Sequence, residues 1–462
     1  MLLLEKLTNP RKIALVGNIN NQNDGIIISR NIRNSSVKRS IFRIIGHDSV
    51  STQGLVPSVF NFPADVDIAV ISSNDPDSSR YLEICDKNDV PYVFLLASSD
   101  DKNVKTARPR RNFVDSVHTH AKCKVFGPDS RGICDSRTDL NLSMLENEGS
   151  HSSNDKLYAL VSVDCSRHPI VVDEFKSFRS DLGFLIDFGS GSRDSEILAS
   201  IGSYLQGREE ISALALLTSE NECSNGDVIT PLRANFSRPI IVYREKRELK
   251  TNSPAENGKR RRSTRKSLPI QDCIVAKDLY DVPDFARVIA LNPVMRGNKV
   301  SVISTKGGTE SVAQDYLTSG AFGMQLQVPH LGLSTKAKLT NLLGNGYSSH
   351  NPVTLGPKER MKIGNAIETV MSDRNTDAIL TLVSPDSYDL IHSFIYDLDP
   401  EKMKKPMVVA IIGSGSYQSA FNELSGRKFA VYPSIRRAIT ALKALASYSL
   451  NNSNLIDNSR QV

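Results

Sequence analysis

Short apolar runs rich in Val, Ile and Leu recur along this chain, each followed by a polar turn and then a longer segment of helical period. No other feature constrains the fold as much. Such runs, bounded by turn residues, read as strands buried on both faces, and strands alternating with helices build parallel β/α units. Three regions repeat the rhythm. The first carries strands at 12–17 (KIALVG), 41–45 (IFRII), 67–72 (DIAVIS) and 91–96 (PYVFLL), with a helix over 77–88. It reads as a Rossmann-like open sheet. The second carries strands at 157–163, 183–187, 212–217 and 239–243 with a helix over 194–206, and reads as flavodoxin-like. The third carries strands at 299–304, 378–383, 407–412 and 429–432, with helices over 309–319, 358–372 and 434–448.

The expected architecture is therefore α/β, with a Rossmann-like domain over 1–140 followed by two flavodoxin-like domains over 155–292 and 293–450. A length of 462 residues fits three domains of ordinary size. Polar residues 136–156 read as a linker, and the tail after Tyr448, rich in Asn and Ser, as frayed. Residues 244–272, which include KRRRSTRK at 259–266, are charged and lack apolar periodicity, so they read as exposed and mobile. That basic run admits two readings, a solvated loop or an anion-binding patch.

Lys and Arg outnumber Asp and Glu by 57 to 51, a net charge of +6 on a large chain. This suits an anionic small ligand and falls short of the basic bias that nucleic acid demands. No stacking aromatics interrupt KRRRSTRK, which removes a second argument for nucleic acid. The six cysteines have no paired C-x-x-C spacing, and free thiols in a reducing cytoplasm are the expected state. Only four apolar residues precede Glu5, and no run approaches the ~20 that a membrane helix requires, so neither export nor membrane insertion is expected.

In KIALVGNINNQNDG a buried strand ends at Gly17, and a polar loop with a second glycine, Gly25, leads into a helical segment. Glycine at a strand end lets backbone approach a phosphate, and the next helix offers N–H groups and a positive dipole end. The three-glycine dinucleotide fingerprint is absent, so the turn fits either a phosphate site or a purely structural βα connection. STKGGTES at 304–311 is a similar glycine turn at a helix start, able to cradle an anion but without full P-loop spacing.

The same first region continues with LVPSVFNFPADVDIAVIS, PYVFLLAS and VFGPDSRGI. Further on come LGFLIDFGSGSRDSEILASIGSYL, SRPIIVYR, GNKVSVISTKGGTESVAQDYLTSG, KPMVVAIIG and VYPSIRRAITALKALASY. In order and spacing these blocks resemble the NDP-forming (ADP-forming) acyl-CoA synthetase family over nearly the whole chain. The likeness is to alpha-type chains such as those of acetate–CoA ligase and succinyl-CoA synthetase. The resemblance implies coenzyme A or an acyl-CoA across the strand ends of the first domain. Gly17, Asn18 and Gly25 would form the phosphate loop, Pro57 and Ser58 the next contact, and Gly127 and Pro128 the closing turn. It also implies a partner, an ATP-grasp beta-type subunit, and a homo- or hetero-oligomer.

Several positions depart from the family. After the second strand Ile45-Gly46 replaces an Asn-Pro pair, and Asp129 stands where asparagine is usual. In the second domain the phosphate turn reads Ser162-Val163-Asp164-Cys165-Ser166, without its glycine and with an Asp that would repel phosphate. The loop that carries the family's phosphorylated histidine corresponds to 251–272, which contains no histidine, and Glu220 falls two or three places late for the supporting glutamate. His168 lies by a different loop, and no other histidine has acid or metal-ligand spacing beside it. Two functions follow from the resemblance. One is a divergent, CoA-binding pseudoenzyme that lacks the phosphohistidine; the alternative is an active alpha subunit that converts acyl-CoA, ADP and phosphate to acid, CoA and ATP. A nucleotide-dependent oxidoreductase would need an acidic residue for the ribose after the second strand, and none is suitably placed.

Overall fold

The computed structural model describes residues 2–17, 23–44, 62–72, 78–96, 122–144, 157–163, 168–177, 182–190, 194–219, 228–245, 273–320, 323–344, 350–385, 391, 394, 397–413 and 417–451. It divides into two compact units. One comprises Met1–Pro169, Asp181–Arg238 and Tyr243–Pro269, the other Ile170–Ser180, Pro239–Val242 and Ile270–Val462.

Three sheets carry the fold. The first holds β1 (Lys12–Val16), β2 (Ser40–Ile44), β3 (Ile68–Ser72), β4 (Tyr92–Leu96) and β5 (Lys124–Ser130), in the order β2-β1-β3-β4-β5 and all parallel. Helix α1 (Leu2–Thr8) precedes β1, α2 (Asn23–Arg33) links β1 to β2, and α3 (Ser78–Lys87) links β3 to β4. The second sheet holds β6 (Gly132–Asp135), β7 (Leu140–Asn141), β8 (Leu157–Val163), β9 (Leu182–Asp187), β10 (Ile211–Ser219), β11 (Ile240–Glu245) and β12 (Cys273–Ala276). Its order is β12-β11-β10-β8-β9-β6-β7, and α4 (His168–Ser177), α5 (Ser195–Gln206) and α6 (Ile229–Ala234) connect β8 through β11. After β12 comes α7 (Asp281–Leu291). The third sheet holds β13 (Val300–Ser304), β14 (Val353–Thr354), β15 (Ala378–Val383), β16 (Met407–Ile411) and β17 (Ala430–Tyr432), in the order β14-β13-β15-β16-β17. Helices α8 (Thr309–Thr318), α9 (Leu333–Leu343), α10 (Ile363–Met371), α11 (Tyr417–Gly426) and α12 (Ile435–Asn451) complete it.

Counting β8 to β12 as one to five, every sheet has the order 2-1-3-4-5, the flavodoxin-like arrangement, with the hairpin β6–β7 added to the second beside β9. The expected α/β class is what the chain adopts. Parallel pairing explains the uninterrupted apolar runs, because β4, β13, β15 and β16 are buried at every position.

Local signals agree with the sheets. Asp194 caps α5, its carboxylate accepting from the N–H groups of Glu196 and Ile197 at 3.0 and 3.1 Å. That helix buries Ile197, Leu198, Ile201 and Leu205 on one face. Gly202 shares the face because a Cβ there would lie 2.5 Å from the Leu232 carbonyl of α6.

Residues 136–144, which read as linker, instead begin as the hairpin edge β6–β7. Side-chain capping holds this polar stretch in place. Asp139, with φ 51°, accepts from both the N–H and the hydroxyl of Ser36. The helix α12 continues to Asn451, three residues past the expected frayed start of the tail. Among the described residues no helix is long and apolar enough to cross a membrane.

Candidate functional site

In a 2-1-3-4-5 sheet the chain leaves the first strand toward one side and returns for the third on the other, and ligands bind in the crevice outside those carboxyl ends. In the first sheet that switch point lies between β1 and β3. Residues Ile13 to Val16 of β1 are buried, and the strand ends at Gly17, whose φ of 78° is left-handed backbone that favours glycine. Helix α2 begins six residues later, with Gly25 in its first turn. Gly17 therefore stands where a strand end meets the approach to a helix N-terminus. Asn18, Pro57 and Ser58 lie outside the described residues.

Gly127 and Pro128 lie toward the carboxyl end of β5 on the same edge. The registers Val16↔Ile71, Ile71↔Leu95 and Phe94↔Phe126 put Gly127 within a residue of the level of Gly17, three strands away, or about 14 Å at normal strand spacing. The pair is tightly held. Gly127 has φ 116°, and a Cβ there would lie 2.4 Å from the Leu95 carbonyl. Its N–H donates to the Phe188 carbonyl at 2.8 Å, and the Pro128 carbonyl accepts from the Ser190 N–H at 2.8 Å. Gly189 fits because a Cβ would stand 2.3 Å from the Pro128 oxygen. These backbone groups are engaged in joining β5 to the end of β9.

Asp187, absent from the sequence-based site, ends β9 at this junction. Its carboxylate accepts from the Arg131 N–H at 2.8 Å and the Gly189 N–H at 3.2 Å. Burial pushes its pKa up to about 6, with the backbone donors of Gly189 and Arg131 opposing the rise. The opposite, amino-terminal end of the second sheet holds a different construction. There Arg208 donates at 2.8 Å to Asp135 and at 2.8 Å to Glu210, and Tyr204 donates to Asp135 at 2.6 Å. Arg208 and Asp135 are both fully buried, so removing either partner would leave an uncompensated buried charge.

The turn after β8, expected from 162–166, is described only through Val163, and residues 164–167 lie outside the described residues. His168 is the first residue of α4. Leu217 and Thr218, where the resemblance would put a supporting glutamate, are buried within β10, and Glu220 is outside the described residues, as are 246–272 with the basic run. His330 and His350 are exposed.

The third sheet repeats the geometry of the first. Its first strand β13 ends at Ser304, and Gly308, φ 87°, starts α8 with no side-chain cap. The hydroxyl of Ser304 donates to the Lys306 carbonyl at 2.9 Å and bonds the Thr309 hydroxyl at 2.7 Å, which closes the loop. A Cβ on Gly307 or Gly308 would meet nothing within 4 Å, so space stands over the turn. Uncapped N–H groups beneath open space suit an oxyanion.

No family model matches the chain. Among curated proteins it is 20% identical to the ADP-forming 4-hydroxybutyrate–CoA ligase of Nitrosopumilus maritimus, over 96% of this chain and 64% of that protein. It is 21% identical to the alpha subunit of ADP-forming acetate–CoA ligase I of Pyrococcus furiosus, over 96% of this chain and 98% of that subunit. The chain thus spans just under two thirds of the first relative and nearly all of the second. Among solved structures, the dinucleotide-forming acetyl-coenzyme A synthetase 1 of Candidatus Korarchaeum cryptofilum, in complex with phosphate and ADP, superposes with a TM-score of 0.76. That match covers 98% of both chains at 18% identity and shows a shared fold.

Proposed function

The chain belongs to the NDP-forming acyl-CoA synthetases as an alpha-type chain, and on that premise we propose that it binds CoA or an acyl-CoA without carrying a phosphoryl group on histidine. The observation that carries the binding reading is the Gly17 turn, left-handed backbone at the end of the buried strand β1 beside the switch point of the first sheet. Gly25, in the first turn of α2, and Asn18 would complete the phosphate loop, with Pro57 and Ser58 as the next contact. Gly127 and Pro128 would bound the site at its far end, positioned by Phe188 and Ser190. The curated relatives are named as CoA ligases, which supports the ligand class.

The non-catalytic half rests on the sequence of 251–272, where the histidine loop of the family has none. A phosphoryl relay needs a nucleophilic imidazole, and the cations of KRRRSTRK attract phosphate without replacing that nucleophile. One observation favours the second reading, an active alpha subunit of an acid–thiol ligase. The open, uncapped turn at Gly307–Gly308 is the kind of cradle a transferring phosphate would use. In either reading we expect a cytoplasmic protein in a homo- or hetero-oligomer, and the active reading requires an ATP-grasp beta-type subunit as its partner.

Labelling separates the two. The full chain is incubated with γ-labelled ATP, or with acetyl-CoA, ADP and labelled phosphate, together with an ATP-grasp subunit from its own genome. The expected result is no acid-labile, base-stable label on this chain. Such a label, lost in His168→Ala, would establish the active reading and identify His168 as the carrier.

A further inference from the structure

A cavity of about 1210 Å³ lies within the second unit, along one face of α12 and against β12, the start of α7 and the segment at Gly323 and Met324. Nothing in the CoA reading uses it. Its walls combine apolar surface from Ile274, Phe285 and Met324 with the cations Lys277, Arg436, Arg437 and Lys443. Two carboxylates, Asp278 and Asp281, also line it, but they are engaged in the turn that opens α7. Asp281 accepts from the N–H groups of Lys277 and Asp278 at 2.9 Å each, and Asp278 accepts from the Tyr280 N–H at 3.2 Å.

The cations differ in how they are balanced. Arg437 makes a two-pronged pair with buried Asp284, at 2.7 and 2.9 Å, and lies 3.6 Å from Glu174. Arg436 has Asp281 as an electrostatic neighbour. Lys443 is 1% exposed, and among the described residues its ammonium makes one hydrogen bond, to the Ser319 carbonyl at 2.5 Å, and no ion pair. An ammonium has three donors. The Ser319 carbonyl, at the end of α8, accounts for one of them as a helix C-terminus does. Two remain, on a buried charge whose desolvation lowers its pKa. Burying such a group without a counter-charge is costly, and an anion in the cavity removes that cost. Thr440 lies one turn before Lys443 on the same wall, its hydroxyl bonded to the Arg436 carbonyl at 2.9 Å.

We propose that this cavity is a binding site for a small phosphate-bearing anion, with Lys443 as its central contact and Arg436 beside it, separate from the CoA site of the first unit. The volume exceeds that of a bare phosphate and suits a molecule of nucleotide size, with Tyr280, Met324 and Ile274 against its uncharged part.

The test uses the full chain and three probes, inorganic phosphate, pyrophosphate and ADP, read by calorimetry and by the rise in melting temperature. Wild type is expected to bind pyrophosphate or ADP, ADP alone marking a nucleotide site and both marking a polyphosphate site. Lys443→Met keeps the volume of the side chain and removes its charge; Thr440→Leu keeps the charge and narrows the cavity one turn from it. Both are made in a Gly17→Leu background, which removes any ADP or pyrophosphate bound at the CoA turn, and each is expected to weaken the remaining binding at least tenfold. The proposal is overturned if no probe binds the Gly17→Leu chain at millimolar concentration, or if either folded variant binds as that chain does. Should Lys443→Met not fold, Thr440→Leu decides alone.

Discussion

The turns at Gly17 and at Gly307–Gly308 hold the same place in two sheets of the same strand order, yet they are built differently. In both, the first strand of the sheet ends in buried residues and a glycine with φ near 80° follows it. After β13 four residues, Thr305 to Gly308, lead into the helix, its entrance closed by Ser304 and Thr309 and its N-terminus without a side-chain cap. Six residues separate β1 from α2. A short, closed turn favours a compact oxyanion, whereas a longer loop leaves room for the extended pyrophosphate of a nucleotide-like ligand. Under the proposed reading the shared strand order sets where ligands go, and the construction of the turn sets which ligand fits.

Exchange of the two glycines is the sharpest way to break this comparison. Gly17→Leu is expected to weaken CoA binding at least a hundredfold by blocking backbone approach and straining the turn, whereas Gly308→Leu should leave the CoA affinity unchanged. Equal losses in both variants would dissolve the distinction. Next in size is Gly127→Ala. Its φ of 116° and the 2.4 Å approach to Leu95 combine left-handed strain with overpacking, and an unfolding titration should show a loss of about 3 kcal/mol. Gly308→Ala meets open space, so only the strain of positive φ remains, about 1 kcal/mol by the same measurement.

A pH dependence is expected at Asp187. Its folded pKa, about 6, exceeds the ordinary value near 4, so the folded state holds the proton more tightly than the unfolded state does. Its contribution to stability is complete below pH ~4 and fades as pH rises through about 6. Asp187→Asn should remove that part of the slope between pH 4 and 6, measured by thermal melts across the window. An unchanged slope would place the titrating group elsewhere.

The fold was legible where burial is two-sided. Strands such as AILTLV and MVVAI are apolar throughout because parallel sheets cover both faces, and every strand read from such a run is present. Strand β5 was not, since Gly127, Pro128 and Asp129 carry turn chemistry, and only the packing of Leu95 and Gly189 around them holds the segment extended. Hairpin β6–β7 hid in polar sequence because distant Ser36 fixes its turn. Of the site, Gly17 could be read as a glycine ending a strand. Asp187 could not, because its role depends on Arg131 and Gly189 meeting it in space. Lys443 reads as one more surface lysine on an amphipathic helix, and only tertiary burial distinguishes it.

The central claim is that CoA binds at the carboxyl edge of the first sheet through the Gly17 turn, and calorimetric titration of CoA into the full chain, with amide shifts recorded in parallel, tests it most directly. The account predicts saturable heat with shifts concentrated from Gly17 to Gly25. Absence of heat at millimolar CoA, or shifts confined to the Gly307–Gly308 turn, would contradict it.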